Sequence, residues 1–233
     1  MLLKILSQDY KCNSTIFQCP ASAFYIPNFI TTQEESFLLT QVDKTPKPRW
    51  TQLSHRRLIN YGGVPHPKGM IAEAMPPWLQ GYVDKVNQLD GVFEDGRKAN
   101  HVLVNEYLAG QGIMPHSDGP LFHPTITTIS CGSHAVLEFH EPQESADEGK
   151  TTMQRVPVTK LLVEPRSLLI LKDDMYHKYL HSIAEVERDV IDRSVANLSR
   201  NNFQLNDVLD RTTRISFTIR HVPKTSKMKI KLF

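Results

Sequence analysis

The hydrophobic pattern of the chain changes period near residue 101. Before it, apolar positions recur at helical spacing. Phe24-Tyr25-Ile26-Pro27-Asn28-Phe29 reads as a short strand running into a helix start, with Thr31 or Thr32 as the cap. Glu34 and Glu35 fall in the first turn, where negative charge suits the helix dipole, and Phe37, Leu38, Gln41 and Val42 continue a one-faced helix that Pro46 and Pro48 end. A second helix is expected from Pro77 through Trp78, Leu79, Tyr82, Val83 and Val86, a single packing stripe. From residue 101 onward short β-type runs follow: His101 to Leu108, Thr125 to Ser130, Ala135 to Phe139, Lys160 to Val163, Ser167 to Leu171 and Arg214 to His221.

Helices followed by many short strands predict an α+β fold, with a double-sheet jelly roll whose inward side chains line a cavity at one mouth. The expected organisation is an irregular segment 1–22, one domain over 23–223, and a basic tail 224–233. Two polar stretches, 141–158 and 184–212, read as long surface loops.

At 233 residues, one generous domain is the default. Twenty-seven basic against 25 acidic residues leave a formal charge of +2, too slight to argue nucleic-acid binding from net charge alone. Distribution says more. The tail carries Lys224, Lys227, Lys229 and Lys231 without an acid, whereas 141–148 carries four acids. Cys12, Cys19 and Cys131 form no paired framework and no C-x-x-C, which favours a reducing compartment. No long apolar run and no cleavable leader are visible, so no membrane is expected and the cytoplasm and nucleus are the expected locations.

Candidate chemistry centres on His116-Ser117-Asp118. In an extended segment, residues two apart point the same way, so the imidazole and the carboxylate can share one ion. A distant third histidine would complete a 2-His-1-carboxylate triad, which holds Fe(II) on one face and leaves the other open. His177 and His181 both lie near the run Ser167 to Leu171. His181, within the apolar-flanked Tyr179-Leu180-His181-Ser182-Ile183, is the better placed, because His177 follows the solvated-looking Lys172-Asp173-Asp174.

In Arg214-Ile215-Ser216-Phe217-Thr218-Ile219-Arg220, Arg214, Ser216, Thr218 and Arg220 share one face. That face points into a cavity or into solvent. Beside an iron triad, two arginines suit 2-oxoglutarate, whose carboxylates want guanidinium partners. Lys47, Arg49, Arg56, Arg57 and Lys68, interleaved with Trp50, His55 and Tyr61, are a combination that suits phosphates and exposed bases.

His116-Ser117-Asp118, then His181, then Arg214 to Arg220, preceded by Asn105-Glu106-Tyr107, resemble the AlkB family of Fe(II)/2-oxoglutarate dioxygenases over about residues 24–222. The resemblance implies a double-stranded β-helix core, with His116, Asp118 and His181 on iron. It further implies Asn105 and Tyr107 hydrogen bonding to oxoglutarate, Arg214 and Arg220 on its carboxylates, and Ser216 assisting. It makes 47–70 a lid over the substrate, with Trp50, Arg57 and Tyr61 as contacts to RNA or single-stranded DNA. The implied reaction consumes oxygen and oxoglutarate, hydroxylates an N-methyl group and releases formaldehyde. One departure is that Gly119-Pro120 follows the H-x-D, where repair members tend to carry a further acid. A protein or tRNA substrate therefore stays open, as does a binding protein with weak or no activity. Oligomeric state is not legible.

Overall fold

The alternating stretch Arg214–Arg220 forms strand β14, hydrogen bonded along both edges within a seven-stranded sheet. The computed structural model describes residues 22–142, 156–198 and 203–226. Across the large sheet the order is β1 (Ala23–Ile26), β10 (Leu168–Lys172), β7 (Thr125–Gly132), β14, β5 (His101–Tyr107), β3 (Arg56–Tyr61) and β2 (Thr51–Leu53), every pairing antiparallel. A second sheet has the order β6 (Ile113–His116), β11 (Leu180–Ile183), β8 (Ala135–His140) and β9 (Thr159–Val163).

Side-chain alternation sorts the large sheet into two faces. Ile59, Val102, Val104, Ile129, Leu168, Ile170, Ile215, Phe217 and Ile219 pack beneath helices α1 (Thr32–Asp43) and α2 (Pro77–Asn87). α1 starts at a capping box, in which the Thr31 side chain accepts from the Glu34 amide and the Glu34 carboxylate accepts from the Thr31 amide, an arrangement worth about 1 kcal/mol. α2 begins at Pro77, whose missing N–H costs nothing in a first turn, and buries Leu79, Val83 and Val86 completely. Each such side chain contributes roughly 1.5–3 kcal/mol of transfer free energy. The opposite face of the sheet, with Tyr25, Tyr107, Leu169 and Leu171, meets Leu137, Phe139, Leu161, Val163 and Ile183 of the second sheet. The two sheets thus form the α+β jelly roll, with both longer helices on the outer side of the large sheet.

Two expectations need correction. The stretch 184–212 is not a plain surface loop. It contains the hairpin β12 (Arg188–Val190) and β13 (Val208–Asp210), anchored by a bidentate pair in which Arg211 Nε and Nη2 donate to Asp189 at 2.6 and 2.7 Å, with His134 at 3.1 Å. Sequence patterning could not show this, because the three partners lie far apart in the chain and become a buried unit only when folded. Nor does the domain stop at residue 223: β15 (Thr225–Ser226), at the start of the basic tail, pairs in parallel with β4 (Met70–Ile71). Residues 1–21 and 227–233, and most of 141–158, lie outside the described residues. Among those described, no helix is long and apolar enough to cross a membrane.

His101 stands on the cavity side of β5 opposite Arg220, fully buried, with Nε2 3.0 Å from Asn60 Oδ1. Burial, helped by the Arg220 charge, pushes its pKa from 6.5 down to about 3. The unfolded chain therefore binds a proton before the native state does. The stability due to neutral His101 is complete above about pH 6.5 and is lost as pH falls towards 3, by about 1.4 kcal/mol per unit. Urea unfolding between pH 6.5 and 4.5 should give a steeper loss for the wild type than for His101→Gln; equal slopes would contradict this account.

Candidate metal centre and cosubstrate pocket

The cavity face of the large sheet and the end of β6 place eight of the sequence-derived candidates around one space. Asn105, Tyr107, His116, Asp118, His181, Arg214, Ser216 and Arg220 line a cavity of about 230 Å3, closed on its apolar side by Ile126, Leu137, Val163, Leu169 and Leu171. This is smaller than the roughly 300–1,000 Å3 clefts that take drug-sized ligands, in keeping with a small acid.

The metal-type donors sit at one end. β6 and β11 pair so that His116 lies opposite His181, and their ring centroids are 4.3 Å apart. Between the pairs His181↔His116 and Ile183↔Ile113 the register shifts, a bulge that turns both Ile113 and His116 inward although they are three residues apart. Gly112 permits the close approach, since a Cβ there would stand 2.2 Å from the Ile183 carbonyl oxygen. Asp118 lies just beyond the end of β6 rather than within it. Its Oδ2 is 3.8 Å from His181 Nε2, and its Oδ1 accepts from Arg220 Nη1 at 2.6 Å.

The protonation pattern suits metal binding. His116 Nδ1–H donates to the Met114 carbonyl at 2.8 Å, which leaves Nε2 as the free lone pair. Burial first, then the neighbouring His116 and Arg220, pushes the pKa of His181 down to about 4 against the opposing pull of Asp118, so this imidazole is neutral near pH 7. The loop after Asp118 is held by Tyr176 of the short helix α3 (Asp173–His177), whose hydroxyl donates to the Gly119 carbonyl at 2.5 Å. His177, the other histidine near this strand, is exposed.

Two imidazoles and a carboxylate on one side of a cavity are the donor set of a 2-His-1-carboxylate site. Neighbouring ligand atoms on an octahedral ion stand about 3 Å apart, so the 3.8 Å between His181 and Asp118 needs only a small closure. Among the described residues no three His, Cys, Asp or Glu side chains are gathered closely enough to hold a metal ion, so a metal would have to draw His116, Asp118 and His181 together. The fit to a chelating diacid rests on polar atoms left over. Asn105 Oδ1, Arg214 Nε and Arg220 Nε are buried without a hydrogen-bond partner among the described residues, on the walls of this cavity. Buried polar atoms are ordinarily satisfied, and two guanidinium groups at 5% exposure call for an anion. Arg214 does donate to Ser130 Oγ at 2.9 Å. Burial raises the Tyr107 pKa, which the charges of Arg214 and Arg56 partly offset, and its phenol remains protonated as a donor. Arg220 departs from the expected role in one respect: Nη1 is committed to Asp118 and the guanidinium lies 3.8 Å over the Phe122 ring, so it orients the carboxylate as well as facing the cavity.

Trp50, Arg57 and Tyr61, expected at the substrate, are on the other side of the sheet. β3 alternates, and its odd-numbered residues face the helices: Tyr61 is buried against Trp78 with ring centroids 5.6 Å apart, and Trp50 packs against the same core. Arg57 stacks 4.1 Å over Trp50 and makes a bidentate pair with Glu106, its cross-strand neighbour, through two 2.6 Å bonds. The expected lid over 47–70 is therefore, across 51–61, an edge hairpin of the large sheet. Arg56, which sequence reading did not single out as a site residue, lines the cavity instead. The alternation of Arg56, Leu58 and Asn60 against Arg57, Ile59 and Tyr61 was the available signal.

The 2OG-Fe(II) oxygenase superfamily matches residues 40–220 of this chain. A protein of Danio rerio named "Probable RNA/DNA demethylase ALKBH6" is 54% identical over 209 residues, which are 89% of this chain and 88% of that protein. The Xenopus tropicalis "tRNA (carboxymethyluridine(34)-5-O)-methyltransferase alkbh8" is 27% identical over 87% of this chain, a span that is 32% of its own length. Among solved structures, OsALKBH1 superposes with a TM-score of 0.52 at 12% identity, covering 85% of this chain and 97% of that one. HygX of Streptomyces hygroscopicus, determined with nickel and 2-oxoglutarate bound, gives 0.50 at 11% identity over 88% of this chain and 84% of that one; both structures speak to the fold alone. The chain belongs to the 2OG-Fe(II) oxygenase superfamily and, within it, to the AlkB family. It is an oxidoreductase of the Fe(II)/2-oxoglutarate-dependent dioxygenase class, and its similarity to the zebrafish ALKBH6 protein extends over nearly the whole of both chains.

Calorimetric titration with Mn(II) and then 2-oxoglutarate should separate the roles. His181→Ala is expected to lose most Mn(II) affinity, and Arg214→Met to keep the metal while losing about ten- to hundredfold in oxoglutarate affinity, the worth of a charge-assisted bond. Arg57→Met should leave both affinities alone and lower the unfolding midpoint by roughly 2–8 °C, on about 1–2 kcal/mol. Weakened oxoglutarate binding in Arg57→Met would contradict its placement on the far face.

Proposed function

We propose that the protein oxidatively removes an N-methyl group from a nucleic-acid base in RNA or single-stranded DNA. His116, Asp118 and His181 hold Fe(II), and 2-oxoglutarate is the cosubstrate. The observation that carries the reading is one shared space: the two imidazoles, the carboxylate and three buried polar atoms of Asn105, Arg214 and Arg220 that have no hydrogen-bond partner among the described residues all border the same cavity. A hydrolytic or isomerising metal site would leave the buried charge of Arg214 without a purpose.

When bound, the metal and its oxoacid supply the oxidation of a substrate C–H bond by molecular oxygen, and on an N-methyl group the hydroxylated carbon departs as formaldehyde. The chain's own residues position and exclude. Asn105, Tyr107 and Ser216 would offer polar contacts to a bound diacid, and Arg214 would pair with one of its carboxylates. Arg220 fixes Asp118, so that the carboxylate presents one oxygen and keeps its orientation. The Met114 carbonyl sets the His116 tautomer. Ile126, Leu169 and Leu171 keep the buried end apolar, which strengthens the charge pairing there. No general base is needed, because the hard step is a C–H oxidation.

The nucleic-acid substrate rests on the name of the zebrafish relative, 54% identical over nearly the whole chain. Trp50, Arg57 and Tyr61 are turned away from the cavity, so none of the three lines the space in which a substrate methyl group would meet the metal. The test is succinate and formaldehyde release by Fe(II)-loaded protein given 2-oxoglutarate and oxygen, against methylated single-stranded RNA, DNA and tRNA. One substrate should yield formaldehyde in step with succinate, and His116→Ala should abolish both. Succinate without stimulation by any nucleic acid would redirect the search to protein substrates, and nucleic-acid binding without succinate would mark an inactive binding module.

A further inference from the structure

Arg56 takes no part in the proposed chemistry, yet its position is specific. In the β3–β5 ladder Arg57 faces Glu106, so Arg56 falls beside Tyr107, and in the β5–β14 ladder Tyr107 faces Arg214. Arg56, Tyr107 and Arg214 thus form one row across three adjacent strands, about 4.8 Å per step, all on the cavity face. The row lies at the opposite end of β14 from Arg220 and the Asp118 carboxylate. The Arg56 side chain is half-buried, its Nε is fully buried without a partner, and no carboxylate of the described residues pairs with it. Its sequence neighbours have partners of their own: His55 faces Glu185 at 3.3 Å and Arg57 is held by Glu106. Two guanidinium groups on either side of one phenol, in a confined space, repel each other unless an anion lies between them.

We propose that Arg56 is a second anchor for the distal carboxylate of the cosubstrate, closing with Arg214 around it, and that this pair makes the pocket select a 2-oxo diacid over a 2-oxo monoacid. The proposal rests on 2-oxoglutarate being the cosubstrate. Arg214 is buried and donates to Ser130 Oγ. Arg56 comes from the edge hairpin β2–β3 and is partly open, so it can admit the acid and then close on its far carboxylate.

The experiment is anaerobic calorimetric titration of the full chain, loaded with redox-inactive Mn(II), with 2-oxoglutarate and with 2-oxobutyrate, which has the same chelating head and no distal carboxylate. Wild type should prefer 2-oxoglutarate. Arg56→Met should lose about ten- to hundredfold in affinity for 2-oxoglutarate and none for 2-oxobutyrate. Arg56→Lys, which keeps the charge without the fork and guards against misfolding of the first variant, should retain an intermediate preference. An equal loss for both acids would make Arg56 structural and overturn the proposal. So would unchanged 2-oxoglutarate affinity with weakened binding of single-stranded RNA, which would turn Arg56 towards the substrate. Wild-type protein that takes up neither acid would remove the cosubstrate reading itself, a failure distinct from that of Arg56.

Discussion

Strict alternation along β14, locked between β7 and β5, is the constraint on which the rest depends. Because it is central, both of its faces are buried: Ile215, Phe217 and Ile219 are fixed under the helices, and Arg214, Ser216 and Arg220 are then forced into the interior on the other side. A slip by one residue would exchange the two sets and bury the arginines beneath α1 and α2. Burying two guanidinium groups is costly unless anions meet them. Asp118 answers Arg220, whereas Arg214 has, among the described residues, the Ser130 hydroxyl and the Tyr107 ring but no carboxylate, and its Nε has no hydrogen-bond partner there. The fold therefore holds an unmet positive charge at one end of the cavity and a paired one at the other. A diacid whose far carboxylate reached Arg214 would relieve the unmet charge and leave the Arg220–Asp118 pair in place.

The same geometry explains why the metal-type donors lie at the mouth of the second sheet. The bulge in β6 and the absent side chain of Gly112 let His116 approach His181 across a single strand pair, and Asp118 follows after the strand has ended. Nothing in an ideal strand would turn Ile113 and His116 to one side. Tyr176 holds the following loop from α3, so the segment is braced by that helix as well as by the pairing of β6 with β11.

Much of this was legible in the sequence, because period-two patterning and short-range motifs carry it. The six later strands were expected within a residue or two of where they lie, and His116, Asp118, His181, Asn105, Tyr107, Arg214, Ser216 and Arg220 do share one space. The misplacement of Trp50, Arg57 and Tyr61 has a physical cause. Arg56 and Arg57 are adjacent and identical in charge, so composition cannot tell which faces inward; the choice is made by Ile59 and Tyr61, whose core lies on α1 and α2, and by Glu106, 49 residues away. The buried pairing of Asp189 with Arg211 was hidden in the same way, since two charges in a polar stretch look solvated until the fold brings them together.

The central claim is that one cavity presents a metal triad and a diacid anchor to the same small molecule. It is tested most directly by anaerobic titration of the Fe(II)-loaded chain with 2-oxoglutarate, followed by visible absorption, because a 2-oxo acid chelating ferrous iron gives a charge-transfer band that neither gives alone. A saturable band is expected at one equivalent of oxoglutarate per chain, and it should be absent in Asp118→Ala. Stoichiometric iron and oxoglutarate uptake without that band, or a band that survives loss of Asp118, would contradict the claim.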